Sequence, residues 1–382
     1  MAIDLKTSNM KILHTISSIG VKSGGTSSCL YNMLLDIKKY ITKVLCFRLG
    51  SDDKLPGEGL NIEFVEQPSE KRFLYSKQYR SALIDSDAVL FHIHGIWQYV
   101  EYIAARVARK KNIPYIICPH GMLYPEALNK SRMMKNLFLS LFLKRDLQKA
   151  ASVHVTCEEE MAHIRNLGIK SPIAVIPNSV EIPQSINRKI PNKKRIGYLG
   201  RIHPRKNIDK IIHAWNRIGV NDDEHELLII GSGDDMYFNF LKEEVSRLNL
   251  RNVVFTGFLS GMEKQEALDS LNYLIVPSDF ENFGMIIAEA LSRKIPVIAS
   301  KGTPWKDLED YQCGWWIEND IDSISQTIEE SLSLNDEEWL KMGEKGRGLA
   351  IEKYSTITVA YKLENLYDWV LGKKEKPDFV YN

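Results

Sequence analysis

Cysteine is scarce in this chain. The five present (Cys29, Cys46, Cys118, Cys157 and Cys313) are scattered through 382 residues, odd in number, and none forms a Cys-x-x-Cys pair. Their spacing suggests neither a disulfide framework nor a zinc site, and a reducing cytoplasm fits it. No run reaches the roughly 20 apolar residues of a membrane-spanning helix. The stretch Met1 to Asn9 is polar and lacks the apolar segment of a signal peptide. Charge of one sign is also missing. Lys and Arg number 50 against 49 Asp and Glu, a net charge of +1, so no global field draws the chain to nucleic acid or an anionic surface. There is no short repeat and no low-complexity tract. Neither Gly-x-Gly-x-x-Gly nor Gly-x4-Gly-Lys-Ser/Thr occurs, which argues against a nicotinamide dehydrogenase and a P-loop enzyme.

What is present is an ordinary globular composition, 44% hydrophobic, in a chain long enough for two domains. Short apolar runs alternate with helical patterns throughout. Strands are expected at Lys11–Ile16, Lys43–Phe47, Ala88–His92, Tyr115–Cys118, Val153–Thr156 and Ile173–Ile176. Six more are expected at Arg195–Leu199, Leu227–Ile230, Val253–Thr256, Tyr273–Val276, Pro296–Ala299 and Gly314–Ile317. Thr26–Lys39, Tyr99–Arg109, Ile208–Ile218 and Met236–Leu248 read as intervening helices. The alternation predicts an α/β protein with parallel sheets covered by helices. The polar stretch Pro183–Lys194 reads as a linker between two doubly wound domains facing across a cleft. Ligands of such sheets bind beyond the carboxyl ends of the strands.

The most informative segment is Pro277 to Leu291. A buried strand stops at Pro277, a polar loop follows, and Phe283 to Leu291 reads as a buried helix. Glu281 lies in the loop and Glu289 about two turns along. A carboxylate in an apolar helix is costly unless paired, and the helix start beside Gly284 offers backbone N–H groups to an anion. This suits a phosphorylated ligand with hydroxyls at both ends. Other loops that follow strands add candidates. Gly24 and Gly25 in Gly20–Ser28 allow close backbone approach. Arg201 and Lys206 in Gly200–Asn207 could neutralise a diphosphate. Gly231 and Gly233 form a strand-end pair, and Gly257-Phe258 could border a nucleobase. Of the strand-end histidines His92, His94 and His120, the last is the preferred functional one. Asp85-Ser86-Asp87 precedes a strand and reads as a helix exit. With it set aside, no oxygen-ligand cluster suited to a divalent metal remains at the loops after the strands.

In this order and spacing the motifs resemble the retaining nucleotide-sugar glycosyltransferases of the GT-B fold, family 4 (group 1). The likeness is strongest over Arg195–Pro304 and rests on Glu281-x7-Glu289 with Gly200-Arg201, Lys206-Asn207 and Gly231-Ser232-Gly233. The resemblance implies roles. Arg201 and Lys206 look like the pair that holds the donor diphosphate, and Glu289 like the acid on the ribose. Glu281 looks like the acid near the donor sugar, with the backbone of Asn282, Phe283 and Gly284 beside it. Gly24-Gly25 resembles the loop that closes on the phosphates, and His120 the histidine near the reacting centre. It implies no cofactor and no metal, a UDP- or GDP-sugar donor and a saccharide or lipid-linked acceptor. It also suggests bacterial surface-polysaccharide or glycolipid assembly in the cytoplasm, with the acceptor-side domain (1–186) completed by a C-terminal helix (355–382) and the donor-binding domain at 187–354. A sugar-nucleotide epimerase and a non-catalytic sugar-nucleotide-binding protein are the alternatives. Gly302-Thr303-Pro304-Trp305 departs from the family pattern, so Trp305 is expected to alter the sugar pocket. An apolar stripe with basic ends over Ala127–Ala150, including Lys130, Lys135 and Arg145, suggests peripheral membrane contact at the inner face.

Overall fold

The computed structural model describes residues 10–20, 25–48, 50, 54–55, 57–68, 74–129, 132–186, 188 and 193–382. The chain forms two compact units, one of Met1–Ser179 with Thr356–Asn382 and one of Val180–Ser355. The sequence reading put the divisions at 186/187 and 354/355. The segment after Ser179 joins the second unit because the Val180 amide donates to the Tyr354 carbonyl at 2.8 Å and Val180 bridges Ser355.

The first unit begins with strands β1 (Lys11–Thr15), β2 (Ile41–Arg48), β3 (Ile62–Glu66), β4 (Leu90–His94), β5 (Tyr115–Cys118), β6 (Ser152–Val155) and β7 (Ile173–Val175). The second holds β8 (Lys194–Leu199), β9 (His225–Ile230), β10 (Val253–Gly257), β11 (Tyr273–Val276), β12 (Val297–Ser300) and β13 (Gly314–Ile317). The chain then returns to the first unit and ends on β14 (Val380–Tyr381). The first sheet runs β14-β7-β6-β5-β4-β1-β2-β3, parallel except for β14. The second runs β10-β9-β8-β11-β12-β13 and is parallel throughout.

Each sheet carries a separate core on each face, as parallel strands buried on both sides require. In the first unit, Leu13, Phe91, Ile93, Ile117 and Val153 face one core, whereas Ile12, Leu90 and Ile116 face the other. The second core is covered by the helix Thr356–Val370, through Val359, Leu363, Leu366 and Tyr367. Tyr361, read from sequence as part of that apolar stripe, is exposed. At 100° per residue it points away from the face shared by Val359, Leu363 and Leu366.

Strand order reverses between β1 and β4 in the first unit and between β8 and β11 in the second. A crevice opens at such a point, beyond the carboxyl ends of the two strands. The candidate site of the second unit lies at its reversal point, and that of the first unit lies beside its own, at the carboxyl ends of β4 and β5.

Candidate functional site

In the second unit, β8 and β11 are direct neighbours, and the loops that leave their carboxyl ends are stitched together. The Asn207 side chain is the main tie. It donates to the Pro277 carbonyl at 2.9 Å and to Asp279 Oδ1 at 2.7 Å. Asp279 in turn accepts from Asn319 Nδ2 at 3.0 Å, and its amide donates to the Arg205 carbonyl at 2.9 Å. Asn207 can do this because it sits at φ +50° between the short turn Pro204–Lys206 and the helix Ile208–Ile218. Asparagine is among the few side chains that tolerate that conformation.

This scaffold brings Lys206 and Glu281 into a direct ion pair, both side chains largely buried. Glu281 is oriented by three further contacts. Ser278 Oγ donates to its Oε1 at 2.9 Å, its amide donates to the Gly302 carbonyl at 2.9 Å, and Gly302 packs against Ser278 and Asp279. A Cβ on Gly302 would lie 2.3 Å from the Ser278 carbonyl oxygen, so only glycine lets this turn reach the acid-bearing loop. Arg201 is exposed and, among the described residues, makes no ion pair. Its carbonyl is fixed by the Tyr198 hydroxyl at 2.8 Å.

The helix expected from Phe283 begins at Met285, with Gly284 as its cap at φ +79°. The Ile287 amide closes back on the Gly284 carbonyl at 2.9 Å, and the amides of Met285 and Ile286 stand at the helix start, where an anion is favoured. Glu289 stands one further turn in, and pairs with Lys264 on the helix Gly261–Asp269. Lys264 was not legible as a partner, because it lies 25 residues away and the helix that carries it has a weak pattern. The side chain of Phe283 belongs to the core, and its carbonyl accepts from Trp305 Nε1. Trp305 is therefore not in a ligand pocket. It is fully buried against Phe283 and Tyr354, so the expectation that it alters the sugar pocket is corrected to a role in supporting the 283 loop.

The glycine pair after β9 has a structural reason. Gly231 sits at φ +145°, where a Cβ would lie 1.8 Å from the Gly200 carbonyl oxygen, and its amide donates to the Gly257 carbonyl at 2.8 Å. Gly233 abuts Ile202 in the same way. Gly257 has φ +77° and open space around it, with Phe258 next to it 67% exposed.

In the first unit, Gly25 starts the helix Gly25–Leu34; Gly24 lies outside the described residues. His120 follows β5 at φ +51°. Its turn is held by Glu160, which sequence reasoning missed. Glu160 accepts from the amides of Gly121 at 2.6 Å and Thr156 at 2.9 Å. His120 ends a row of imidazoles: its Nε2 is 3.0 Å from His94 Nδ1, and His94 Nε2 is 3.0 Å from His14 Nδ1. Burial holds His14 and His120 down to about 3 and His154 to about 4, and keeps His92 and His94 well below the usual 6.5. Their rings are thus neutral.

Both units match families of known proteins. Residues 181–349 match the family model "Glycosyl transferases group 1", and residues 44–179 match "Glycosyl transferase 4-like domain". The poly(ribitol-phosphate) alpha-N-acetylglucosaminyltransferase of Staphylococcus aureus is 28% identical over 235 residues, 59% of this chain and 46% of that one. The alpha-monoglucosyldiacylglycerol synthase of Streptococcus pneumoniae is 24% identical over 261 residues, 63% and 56% of the two chains. The chain thus spans about half the length of these curated relatives. Among solved structures, Anabaena HepE in complex with UDP and glucose superposes with a TM-score of 0.71 at 17% identity, covering 94% of this chain and 99% of that one. Two parallel-sheet units, with the two family models abutting between residues 179 and 181, place the chain among the group 1 glycosyltransferases of GT-B fold.

Proposed function

We propose that the protein transfers a hexosyl-type sugar from a UDP- or GDP-sugar to an acceptor hydroxyl with retention of configuration, in polysaccharide or glycolipid assembly. The observation that carries this reading is the Lys206–Glu281 pair, formed between the loop after β8, which also carries Arg201, and the loop after β11, which leads into the helix start at Gly284. As the donor bond breaks, charge grows on the departing diphosphate. Preorganised cations and backbone N–H groups there favour the transition state over the ground state. The named activities of the Staphylococcus and Streptococcus relatives support the sugar-transfer reading and the polymer or lipid class of acceptor. A thermal-shift screen against UDP-, GDP- and ADP-sugars tests it. A ligand at 100 times its dissociation constant stabilises by about 2.7 kcal/mol, and a flat response to all three would remove the proposal.

The two acids separate by role. Glu281 precedes the helix and touches Lys206, so Glu281→Gln should mainly lower kcat. Glu289 lies deeper, beside Lys264, where the ribose hydroxyls would meet it, so Glu289→Gln should mainly weaken nucleotide binding. Each change is expected to be about 10- to 100-fold. Steady-state kinetics with separate calorimetry measures both, and the opposite split reverses the assignment.

Transfer is expected to survive EDTA, since Arg201 and Lys206 supply the cationic charge. Loss of turnover that Mg²⁺ or Mn²⁺ restores would contradict this.

The acceptor side has a candidate membrane face. Among the described residues no helix is long and apolar enough to cross a membrane. The stretch expected as one helix is broken into Pro125–Asn129, Arg132–Phe138, a wide turn Leu139–Leu143 and Lys144–Lys149; Lys130 lies outside the described residues. Met133 is 88% exposed, and Leu137, Leu141 and Phe142 are exposed beside Lys144 and Arg145. Apolar tips next to cations suit an anionic lipid surface. Co-sedimentation with anionic liposomes at low salt, lost in a Met133→Ser/Leu137→Ser variant, is the expected result. Equal recovery of both proteins in the supernatant would remove the membrane reading.

A further inference from the structure

The first sheet assembles a second group of chemically able side chains. β4 and β5 are parallel, and His94 is in register with Cys118 at their carboxyl ends, so the two side chains emerge side by side on one face. Two residues on, the left-handed backbone at His120 turns its imidazole back over both. His120 Nε2 lies 3.0 Å from His94 Nδ1, and its Nδ1 lies 3.7 Å from Cys118 Sγ. One ligand atom from each of the three residues falls within 4.8 Å of the others. Tetrahedral zinc, with nitrogen at about 2.0 Å and sulfur at about 2.3 Å, sets its ligand atoms about 3.3–3.7 Å apart. The cluster is within a small side-chain adjustment of that spacing.

We propose that His94, Cys118 and His120 form a binding site for a zinc-class metal ion, with three protein ligands and a fourth position open beside half-buried His120. Two imidazoles and a thiolate favour zinc or copper(I) over magnesium, calcium or manganese. On binding, the Cys118 thiol releases its proton to solvent, one per ion.

Hydrogen-bond roles choose this trio over the adjoining His14, His92 and His94. His154 Nε2 faces the Ile176 carbonyl at 2.9 Å, and a carbonyl only accepts, so that nitrogen carries the proton. His154 Nδ1 then accepts from His92 Nε2 at 3.3 Å, and His92 Nδ1 accepts from the Tyr367 hydroxyl at 2.9 Å. His92 has no lone pair left for a metal. The row His14–His94–His120 is different, because among the described residues no carbonyl or hydroxyl fixes which way its hydrogen bonds run. With a metal on His94 Nδ1, His94 Nε2–H donates to His14 Nδ1 at 3.0 Å. A ligating histidine is habitually anchored in this way through its outer nitrogen. His14 would then be a positioning residue, and its buried Nε2 makes no hydrogen bond of its own.

None of its residues lies in the β8–β11 crevice; the resemblance does place His120 near the reacting centre, so the test below reads metal binding and not transfer, and its failure is distinct from that of the transferase reading. If His120 also serves transfer, excess zinc would inhibit and EDTA would relieve the inhibition, in keeping with a reaction that needs no metal.

The test is a cobalt titration of the full chain, stripped of metal and kept reduced with a phosphine. One equivalent of Co²⁺ is expected to give tetrahedral visible bands and a sulfur-to-cobalt charge-transfer band, both abolished by added Zn²⁺. Cys118→Ala should remove the charge-transfer band. His120→Asn, which suits the left-handed backbone, should weaken affinity at least ~10-fold, and His14→Gln about 10- to 100-fold. Tyr367→Phe should leave binding unchanged. Circular dichroism melts in chelator identify any variant that fails to fold; should Cys118→Ala be one, His120→Asn decides. No charge-transfer band in the parent protein, or cobalt affinity unaltered in a folded Cys118→Ala or His120→Asn, overturns the proposal.

Discussion

The first unit is expected to unfold as the pH falls from 7 to about 5, with the second unit outlasting it. Four histidines are entirely enclosed there: His14, His92, His94 and His154. Desolvation is the main cause of their depressed pKa values, about 3 for His14 and about 4 for His154, with His92 and His94 also well below normal. Each folded pKa lies under the unfolded 6.5, so the unfolded chain binds more protons once the pH passes below 6.5. Stability is then lost progressively until the folded pKa is reached. His14 and His154 alone cost about 4 kcal/mol between pH 7 and 5, and His92 and His94 add to the loss in the same direction. Glu101 works against them. Burial raises its carboxyl to about 7, above its unfolded value, so the folded state gains about 2 kcal/mol over the same interval. Burial also raises Glu160 and Asp146, which act with Glu101. The histidines outnumber the opposing acids, so the net change is a loss, and an ordinary domain has only about 5–15 kcal/mol to lose. Equilibrium unfolding against pH in EDTA, followed by hydrogen exchange in each unit, measures it. A first unit equally stable at pH 7 and pH 5 would show that these imidazoles are solvated.

The reasons for what was legible can be read from particular residues. Tyr115–Cys118, Tyr273–Val276 and Gly314–Ile317 are apolar runs closed by turn residues, and each forms the strand expected. β3 was invisible because Ile62–Glu66 alternates with glutamates beside a single neighbour, β2. The two residues of β14 carry no periodicity at all. The order Arg201, Lys206, Glu281, Glu289 could be read along the chain, because loops that leave parallel strands share one edge of the sheet. The pairings could not. Lys206 meets Glu281 across 75 residues, and His94 meets Cys118 only through the register of β4 on β5. The buried role of Trp305 was equally hidden, since an aromatic after a strand reads the same whether it faces ligand or core.

Lys206→Ala is expected to be the most damaging single change in the donor site, more so than Arg201→Ala. Arg201 is exposed and unpaired with any described acid, so its loss removes one charge-assisted contact, about 1.5–3 kcal/mol. Lys206 does two things. On the proposed reading it offers a cation to the diphosphate, and it neutralises Glu281, whose carboxylate accepts from Ser278 Oγ and whose backbone amide donates to the Gly302 carbonyl. Without Lys206 that carboxylate stays where it is, partly buried and uncompensated, facing an incoming dianion. Removing one partner of such a pair costs more than the pair was worth, because the remaining charge is stranded. A loss of about 2–4 kcal/mol, roughly 30- to 1000-fold in kcat/KM, is expected. The stranded charge also predicts a rescue. Glu281→Gln on its own should lower turnover, yet added to Lys206→Ala it should recover part of the lost nucleoside-diphosphate affinity, because it removes the repulsion that Lys206→Ala created. Calorimetry with nucleoside diphosphate on the four proteins of this double-mutant cycle gives the coupling directly, with free nucleoside as the ligand that should be indifferent. Additive losses would show that Lys206 and Glu281 do not act on the phosphates as a unit, and that the pair in the ligand-free protein is only a resting contact.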